Sequence, residues 1–235
     1  MLDALGFLTV LGRARPPSRH AVVWFGPAGA LIGGLLGLVW WGASNVWPAP
    51  VAAALVIALD LALTGLLHVD GLADAADGLL PHLDRDRRLA VMATPDVGAF
   101  GAAVVVITLL LRVTALAATD PQQWRAVLFL AGVWCASRTL MAATTTLVPY
   151  ARPSGLASSF LGGSAVAVIA IGLPLTALAA GRGVGGLVAV IAGVVAGALV
   201  VALAHRRIGG FTGDVLGAAG VVTETVALVV ASARW

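Results

Sequence analysis

The stretch Val51-Ala52-Ala53-Ala54-Leu55-Val56-Ile57-Ala58-Leu59-Asp60-Leu61-Ala62-Leu63-Thr64-Gly65-Leu66-Leu67 runs directly into His68-Val69-Asp70-Gly71-Leu72-Ala73-Asp74-Ala75-Ala76-Asp77-Gly78. Its first part is long and apolar enough to enter a bilayer, and only Asp60 interrupts it. Its second part places three carboxylates close together. If that part is helical, Asp70, Asp74 and Asp77 stand at i, i+4 and i+7 and share a face within about 60° of arc. Like charges so placed repel and destabilise a bare helix. An ordinary solvated helix would carry mixed polar residues, but here the rest is mostly Gly, Ala and Leu, with no arginine between Leu61 and Asp84. A hard divalent cation with oxygen ligands answers both observations. Mg²⁺ takes a carboxylate or two and leaves other positions for phosphate oxygens.

The rest of the chain agrees with a bilayer setting. Its 235 residues are 60% hydrophobic and 11% charged, with a mean hydropathy of +1.01. A soluble domain carries roughly 25% charged residues. The expected fold is all-α: a polytopic integral membrane bundle of about seven transmembrane helices with cytoplasmic active-site loops, forming one catalytic domain over residues 1–235. The spans are expected over residues 21–42, 50–67, 97–118, 124–148, 164–180, 184–204 and 215–233. Gly26-Pro27 is expected to kink the first, and residues 68–96 are read as a loop holding the acidic segment.

All 14 basic residues are arginine. With seven spans, Arg13, Arg15, Arg19, Arg85, Arg87, Arg88, Arg152, Arg206 and Arg207 fall on one side. Only Arg125, Arg182 and Arg234 fall on the other. The first side is then cytoplasmic. A pI near 10.4 thus reflects topology rather than nucleic-acid binding. Cys135 is the only cysteine, which excludes an internal disulfide and a cysteine metal site. The same count puts the acidic segment, the Arg152 loop and the Asp214 loop on one face, where they can form a composite site.

Asp60, Arg112 and Arg138 lie inside spans, either as structural ion pairs or with the arginines clamping an anion. Arg152 sits in a Pro- and Gly-bearing loop suited to substrate contact. Thr212 reads as a helix N-cap with Asp214 in the first turn, and Asp214 is also placed to join the metal carboxylates. Glu224 lies about three turns deeper. His68, at the membrane edge, is either an interfacial residue or a general base. Clustered carboxylates and arginines, with no Ser-His or Cys-His pair, point to metal-assisted phosphoryl transfer. The competing classes are an ion-coupled transporter using Asp60, Arg112 and Glu224, and a non-catalytic scaffold.

Several blocks then identify a family. Gly65 to Gly78, Thr94-Pro95-Asp96-Val97-Gly98-Ala99-Phe100-Gly101, the Arg138 helix, Pro149-Tyr150-Ala151-Arg152 with Gly155-Leu156, and Thr212-Gly213-Asp214-Val215-Leu216-Gly217 with Glu224 together resemble cobalamin synthase, adenosylcobinamide-GDP ribazoletransferase. The matches are in order along nearly the whole chain. The resemblance implies that the ribose 5′-hydroxyl of α-ribazole, or else α-ribazole 5′-phosphate, joins adenosylcobinamide-GDP. GMP leaves, and adenosylcobalamin or its 5′-phosphate forms at the bacterial inner membrane. It implies Mg²⁺ as cofactor, held by Asp70, Asp74, Asp77 and Asp214, with His68 as a further catalytic candidate. Arg138, Arg152, Asp214, Asp96, Arg112 and Tyr150 are the expected substrate contacts. The expected partners are the two substrates and the lipid bilayer, with no nucleic acid. A homo-oligomer, or a complex with other nucleotide-loop assembly enzymes, is compatible with this reading. The Asp-Gly pattern also resembles that of CDP-alcohol phosphotransferases, but Asp74 follows Ala73 where that family has an Arg.

Overall fold

The structure is a computed structural model that describes residues 1–12, 18–121 and 123–233. Arg13, Arg15 and Arg234, counted above for sidedness, lie outside the described residues. A bilayer offers no water to unpaired backbone groups, so each crossing segment must satisfy its own amides, and helices do so. The chain forms α1 (Leu2–Leu8), α2 (Phe25–Ser44, entered through a 3₁₀ turn at Val22–Trp24), α3 (Ala49–Thr64), α4 (Leu67–Leu79), α5 (Arg85–Val91), α6 (Ala99–Ala117), α7 (Gln123–Leu147), α8 (Ala165–Thr176), α9 (Val184–Ile208) and α10 (Gly213–Ala231). Among the described residues, six helices or helix runs are long and apolar enough to cross a membrane, and a seventh is reached only when the bent pair α3–α4 is counted as one span. The short α8 is extended by a 3₁₀ turn to Arg182, which brings it to crossing length.

Two expectations change. Gly26-Pro27 falls in the first turn of α2 and Val22–Ser44 runs as one segment; a proline there has no intrahelical N–H bond to lose. The expected loop after residue 67 is helical: it holds α4 and α5. Gly65 (φ 60°) and Leu66 (φ 61°) both adopt the left-handed conformation, and α4 leaves α3 at 89°. Gly65 takes that conformation freely, whereas for leucine it costs about 1–2 kcal/mol. After the corner α4 lies across one end of the bundle, outside the crossing segments.

Glycines set how closely the helices approach. Gly29, Gly33 and Gly37 of α2 face the backbone of α7 at Trp134, Leu130 and Val127, where a Cβ would collide. Gly71 of α4 and Gly217 of α10 play the same part where those helices cross. A Cβ on Gly71 would come within 3.0 Å of Asp214 backbone, and one on Gly217 within 3.1 Å of the His68 carbonyl. The C-terminal end of α4 is held by two arginines. Buried Arg88 donates to the Gly78 and Leu79 carbonyls at 2.8 and 2.9 Å, and Arg207 of α9 also reaches the Leu79 carbonyl. These otherwise unpaired carbonyls form the negative end of the helix dipole, so the arginines both bond and balance it.

Candidate active site at the α4–α10 crossing

The crossing of α4 over the N-terminus of α10 brings the sequence-distant blocks together. Thr212 caps α10, its Oγ1 accepting from Val215 N–H at 3.3 Å and donating to Asp214 Oδ2 at 3.1 Å, so the expected N-cap is present. Just upstream, the Arg152 loop is stitched to the entry of α10. Ala151 N–H donates to the Phe211 carbonyl and Phe211 N–H to the Pro149 carbonyl, each at 2.9 Å. Arg85 locks the same loop from α5, donating to the Ile208 and Ala151 carbonyls at 3.0 Å. The result places Arg152 Nη2 3.2 Å from Asp214 Oδ2, an ion pair with both side chains about one-fifth to one-quarter exposed.

α4 is continuous through both of its Asp-Gly pairs, and its acidic face rotates into the protein along its length. Asp70 is exposed, Asp74 half-buried and Asp77 buried. Burial, then Asp214, then Asp70 raise the Asp74 carboxyl to about 6. Asp70, Asp74 and Asp214 therefore crowd one another with Arg152 as their nearby cation. Among the described residues, no three His, Cys, Asp or Glu side chains converge closely enough to hold a metal ion as they stand.

Asp77 adds the smallest push to Asp74 and is itself engaged elsewhere. Its Oδ2 accepts from Gly98 N–H at 2.7 Å and its Oδ1 from Gly101 N–H at 2.9 Å. It thus binds the free amides at the start of α6, where the helix dipole favours an anion. Gly98 and Gly101 are glycine because a Cβ on either would run into this carboxylate. Asp96 is exposed in the preceding turn.

Arg112 and Arg138, expected on substrate, are turned inward. Arg112 Nη2 pairs with Asp60 Oδ2 at 2.7 Å and with Glu224 Oε2 at 3.1 Å, and Arg138 Nη1 pairs with Glu224 Oε1. Trp134 Nε1 donates to Asp60 Oδ1 at 3.1 Å, and Ser137 Oγ donates to Glu224 Oε1 at 2.9 Å. Two cations and two anions cancel, and none of the four residues is more than 3% exposed. This is the structural alternative of the two readings given above, and it also occupies the groups a transport path would use.

His68 is 4% exposed, and neither ring nitrogen has a hydrogen-bond partner. Burial, and then the fields of Arg138 and Arg112, push its pKa well below the usual value. Tyr150 packs edge-on against Phe211 at 5.3 Å, and burial pushes its hydroxyl pKa up. Both line a cavity with Asp70, Arg152 and Asp214. No local pattern marks Arg85 as the loop's anchor, nor the aromatic wall of this cavity, whose members are far apart along the chain. A larger cavity, about 670 Å³, lies at the opposite end, lined by Trp40, Trp41, Trp124 and Arg125. Its indoles are those expected at a membrane interface, and none of the site carboxylates reaches it.

The helices and their apolar lengths define the class as a polytopic helical membrane protein, with carboxylates and an arginine gathered at one end of the bundle. The particular family follows from comparison. The model of the family described as cobalamin-5-phosphate synthase matches residues 1–232, and the chain belongs to that family. A Bradyrhizobium diazoefficiens protein named adenosylcobinamide-GDP ribazoletransferase is 39% identical, over 98% of this chain and 92% of its own. Proteins of the same name from Pseudomonas aeruginosa and Leptothrix cholodnii are 39% and 37% identical, over 97% and 90% of this chain and 96% and 84% of theirs. No solved structure matches the chain.

Proposed function

We propose that this protein joins α-ribazole, or its 5′-phosphate, to adenosylcobinamide-GDP and releases GMP. The observation that carries the reading is the excess negative charge at the α4–α10 crossing. Asp70, Asp74 and Asp214 stand there with Arg152 as the nearby cation among the described residues, and Asp70, Asp214 and Arg152 line a cavity. Oxygen donors crowded enough to raise Asp74 fit a hard divalent cation, and Asp70, Asp74 and Asp214 would hold Mg²⁺. When bound, the ion would neutralise diphosphate charge. Asp77 then serves as a positioning residue that ties α4 to α6. Arg152 orients a phosphate through its forked donors, with Arg85 holding its loop.

The family's description supports one correction to the expected chemistry. A product that retains a 5-phosphate leaves the ribose 5′ oxygen occupied, so the attacking group is a secondary ribose hydroxyl rather than the 5′-hydroxyl. That oxygen bonds to the cobinamide-bearing phosphorus while the bond from this phosphorus to the bridging oxygen breaks. GMP leaves with the bridging oxygen, and the hydroxyl proton passes to a carboxylate of the same set.

Among the described arginines, Arg19, Arg85, Arg87, Arg88, Arg152, Arg206 and Arg207 lie toward the site end, and Arg125 and Arg182 toward the other. This bias supports a cytoplasmic site in a bacterial inner membrane, and a reporter fused after Trp235 is then expected on the periplasmic side. The deciding assay supplies purified full-length protein with both substrates, with and without Mg²⁺. Equal amounts of GMP and corrinoid product are expected only when both substrates and the metal are present. No GMP release under any divalent metal would overturn the reading.

A further inference from the structure

At the end of the bundle away from the carboxylates, a cavity of about 490 Å³ is lined by Trp124, Arg125, Arg182 and Gly183. It shares Trp124 and Arg125 with the cavity of about 670 Å³ beside it. Aromatic rings hold both arginines in place. The Arg125 guanidinium lies 5.9 Å from the Trp124 ring centroid, and that of Arg182 lies 5.4 Å from the Phe129 centroid. Arg182 Nη1 also donates to the Asp120 carbonyl at 3.2 Å. Among the described residues, Asp120 is the one carboxylate in the loops at this end. Arg125 stands in the first turn of α7, and Arg182 just precedes the start of α9 at Val184. Neither helix has an acidic residue in its first turn. A cation gains nothing at the positive end of a helix dipole, where an anion is stabilised. Two guanidiniums and two dipole ends therefore exceed what one aspartate balances.

We infer that this cavity binds an anionic phospholipid, of the phosphatidylglycerol type, from the leaflet at that end of the bundle. Its phosphate lies against Arg125 and Arg182, whose forked donors suit phosphate oxygens. A lipid fits better than a free anion, because a track for its acyl chain begins at the cavity's edge. Directly after Gly183, the side chains of Val184, Val188, Ile191 and Val195 are exposed on α9. They stand at i, i+4, i+7 and i+11, so they form one stripe down a helix of membrane-crossing length. The exposed Trp124 sits beside the headgroup, at the depth indoles prefer. A zwitterionic headgroup would bring an ammonium toward two cations, and like charges at close range repel. The site stands apart from the carboxylates and does not depend on the reaction proposed above.

The test titrates full-length protein in detergent with phosphatidylglycerol, phosphatidylcholine or inorganic phosphate and follows thermal unfolding. Phosphatidylglycerol is expected to raise the melting temperature by about 5 °C, and each of the others by less than about 1 °C, since a ligand of the folded state stabilises it by mass action. In Arg125→Gln/Arg182→Gln the shift is expected to fall below about 2 °C. Arg87→Gln/Arg206→Gln removes two exposed arginines from the opposite end and is expected to keep the shift. That pair separates the site from general attraction of anionic lipid to basic residues. Each shift is read against the same variant without lipid, so a change in basal stability does not enter. Arg125→Gln alone, at an exposed position, is expected to lose about half of the shift or more, which decides the matter even if the double variant fails to fold. Equal shifts from phosphatidylcholine or from phosphate, no shift from any of the three, a full shift in Arg125→Gln, or a lost shift in the control pair would each overturn the assignment.

Discussion

Two groups of charged side chains lie close together in this bundle and are built on opposite principles. Inside the crossing helices, Asp60, Arg112, Arg138 and Glu224 form a closed set with two positive and two negative charges, each within bonding reach of an opposite charge. At the end of the bundle, Asp70, Asp74 and Asp214 have Arg152 as their nearby cation among the described residues, and the half-exposed Asp74 is raised to about 6 by burial and its acidic neighbours. The first set is balanced in charge, as removing water from four charges requires, although the Nε atoms of Arg112 and Arg138 have no hydrogen-bond partner. On the function proposed above, the second set is completed by a cation. Residue type therefore does not separate structural from functional charge in this chain; the local sum of charge does.

The sharpest way to break the comparison is to neutralise one member of the incomplete set. Asp74→Asn is expected to lower turnover at least 1,000-fold while the melting temperature stays equal or rises, read by GMP release and thermal denaturation in detergent. Activity within ten-fold of wild type would remove Asp74 from the site. The opposite outcome is expected in the closed set. Glu224→Gln leaves Arg112 on Asp60 but strands the buried Arg138 guanidinium, and it is expected to destabilise the protein by about 3–5 kcal/mol, measured as lost monodisperse protein and an earlier unfolding transition. An unchanged transition would mean the quartet is not structural. Asp77→Asn lies between the two sets. It weakens the anchor on the α6 amides by about 1–2 kcal/mol and is expected to lower activity about ten-fold through the tilt of α4, and an effect as large as that of Asp74→Asn would return Asp77 to the cation site.

The smallest effect is on pH. The folded Asp74 pKa of about 6 lies above that of an unfolded aspartate, so the folded protein takes up a proton that the unfolded chain releases between pH 6 and 4. The penalty is fully present above pH 6 and fades as pH falls. Metal-free wild type should therefore gain a small increment of melting temperature relative to Asp74→Asn as pH is lowered from 7 to 4. Parallel curves for the two proteins would show that Asp74 is not strained by its neighbours.

Much of this was legible beforehand, for identifiable reasons. Apolar length located the crossings, and arginine asymmetry grouped the acidic, Arg152 and Asp214 blocks at one end. The i, i+4, i+7 spacing gave α4 its acidic face. Its direction was hidden in the Gly65–Leu66 corner, because nothing in a leucine announces a left-handed backbone. Spacing also could not show that the inner end of that face meets the free amides of Gly98 and Gly101, which claim Asp77. Arg112 and Arg138 looked equally able to hold substrate or partners, and only the arrival of Glu224 from the last helix decides it. The phenylalanine wall joins positions 7, 25 and 160, a grouping that no local pattern encodes.

The closed quartet also has a consequence for how the chain is made. Asp60 and Arg112 meet early, since both have emerged once α6 is complete. Arg138 must wait for Glu224, which is 86 residues further along. At about 5–20 residues per second that interval is roughly 4–17 seconds. During it the nascent bundle carries an unmatched guanidinium that costs about 2.5–3.5 kcal/mol at mid-bilayer. The final helix thus acts as a latch: its carboxylate neutralises the unfinished membrane domain, and its capped N-terminus completes the proposed catalytic face in the same motion.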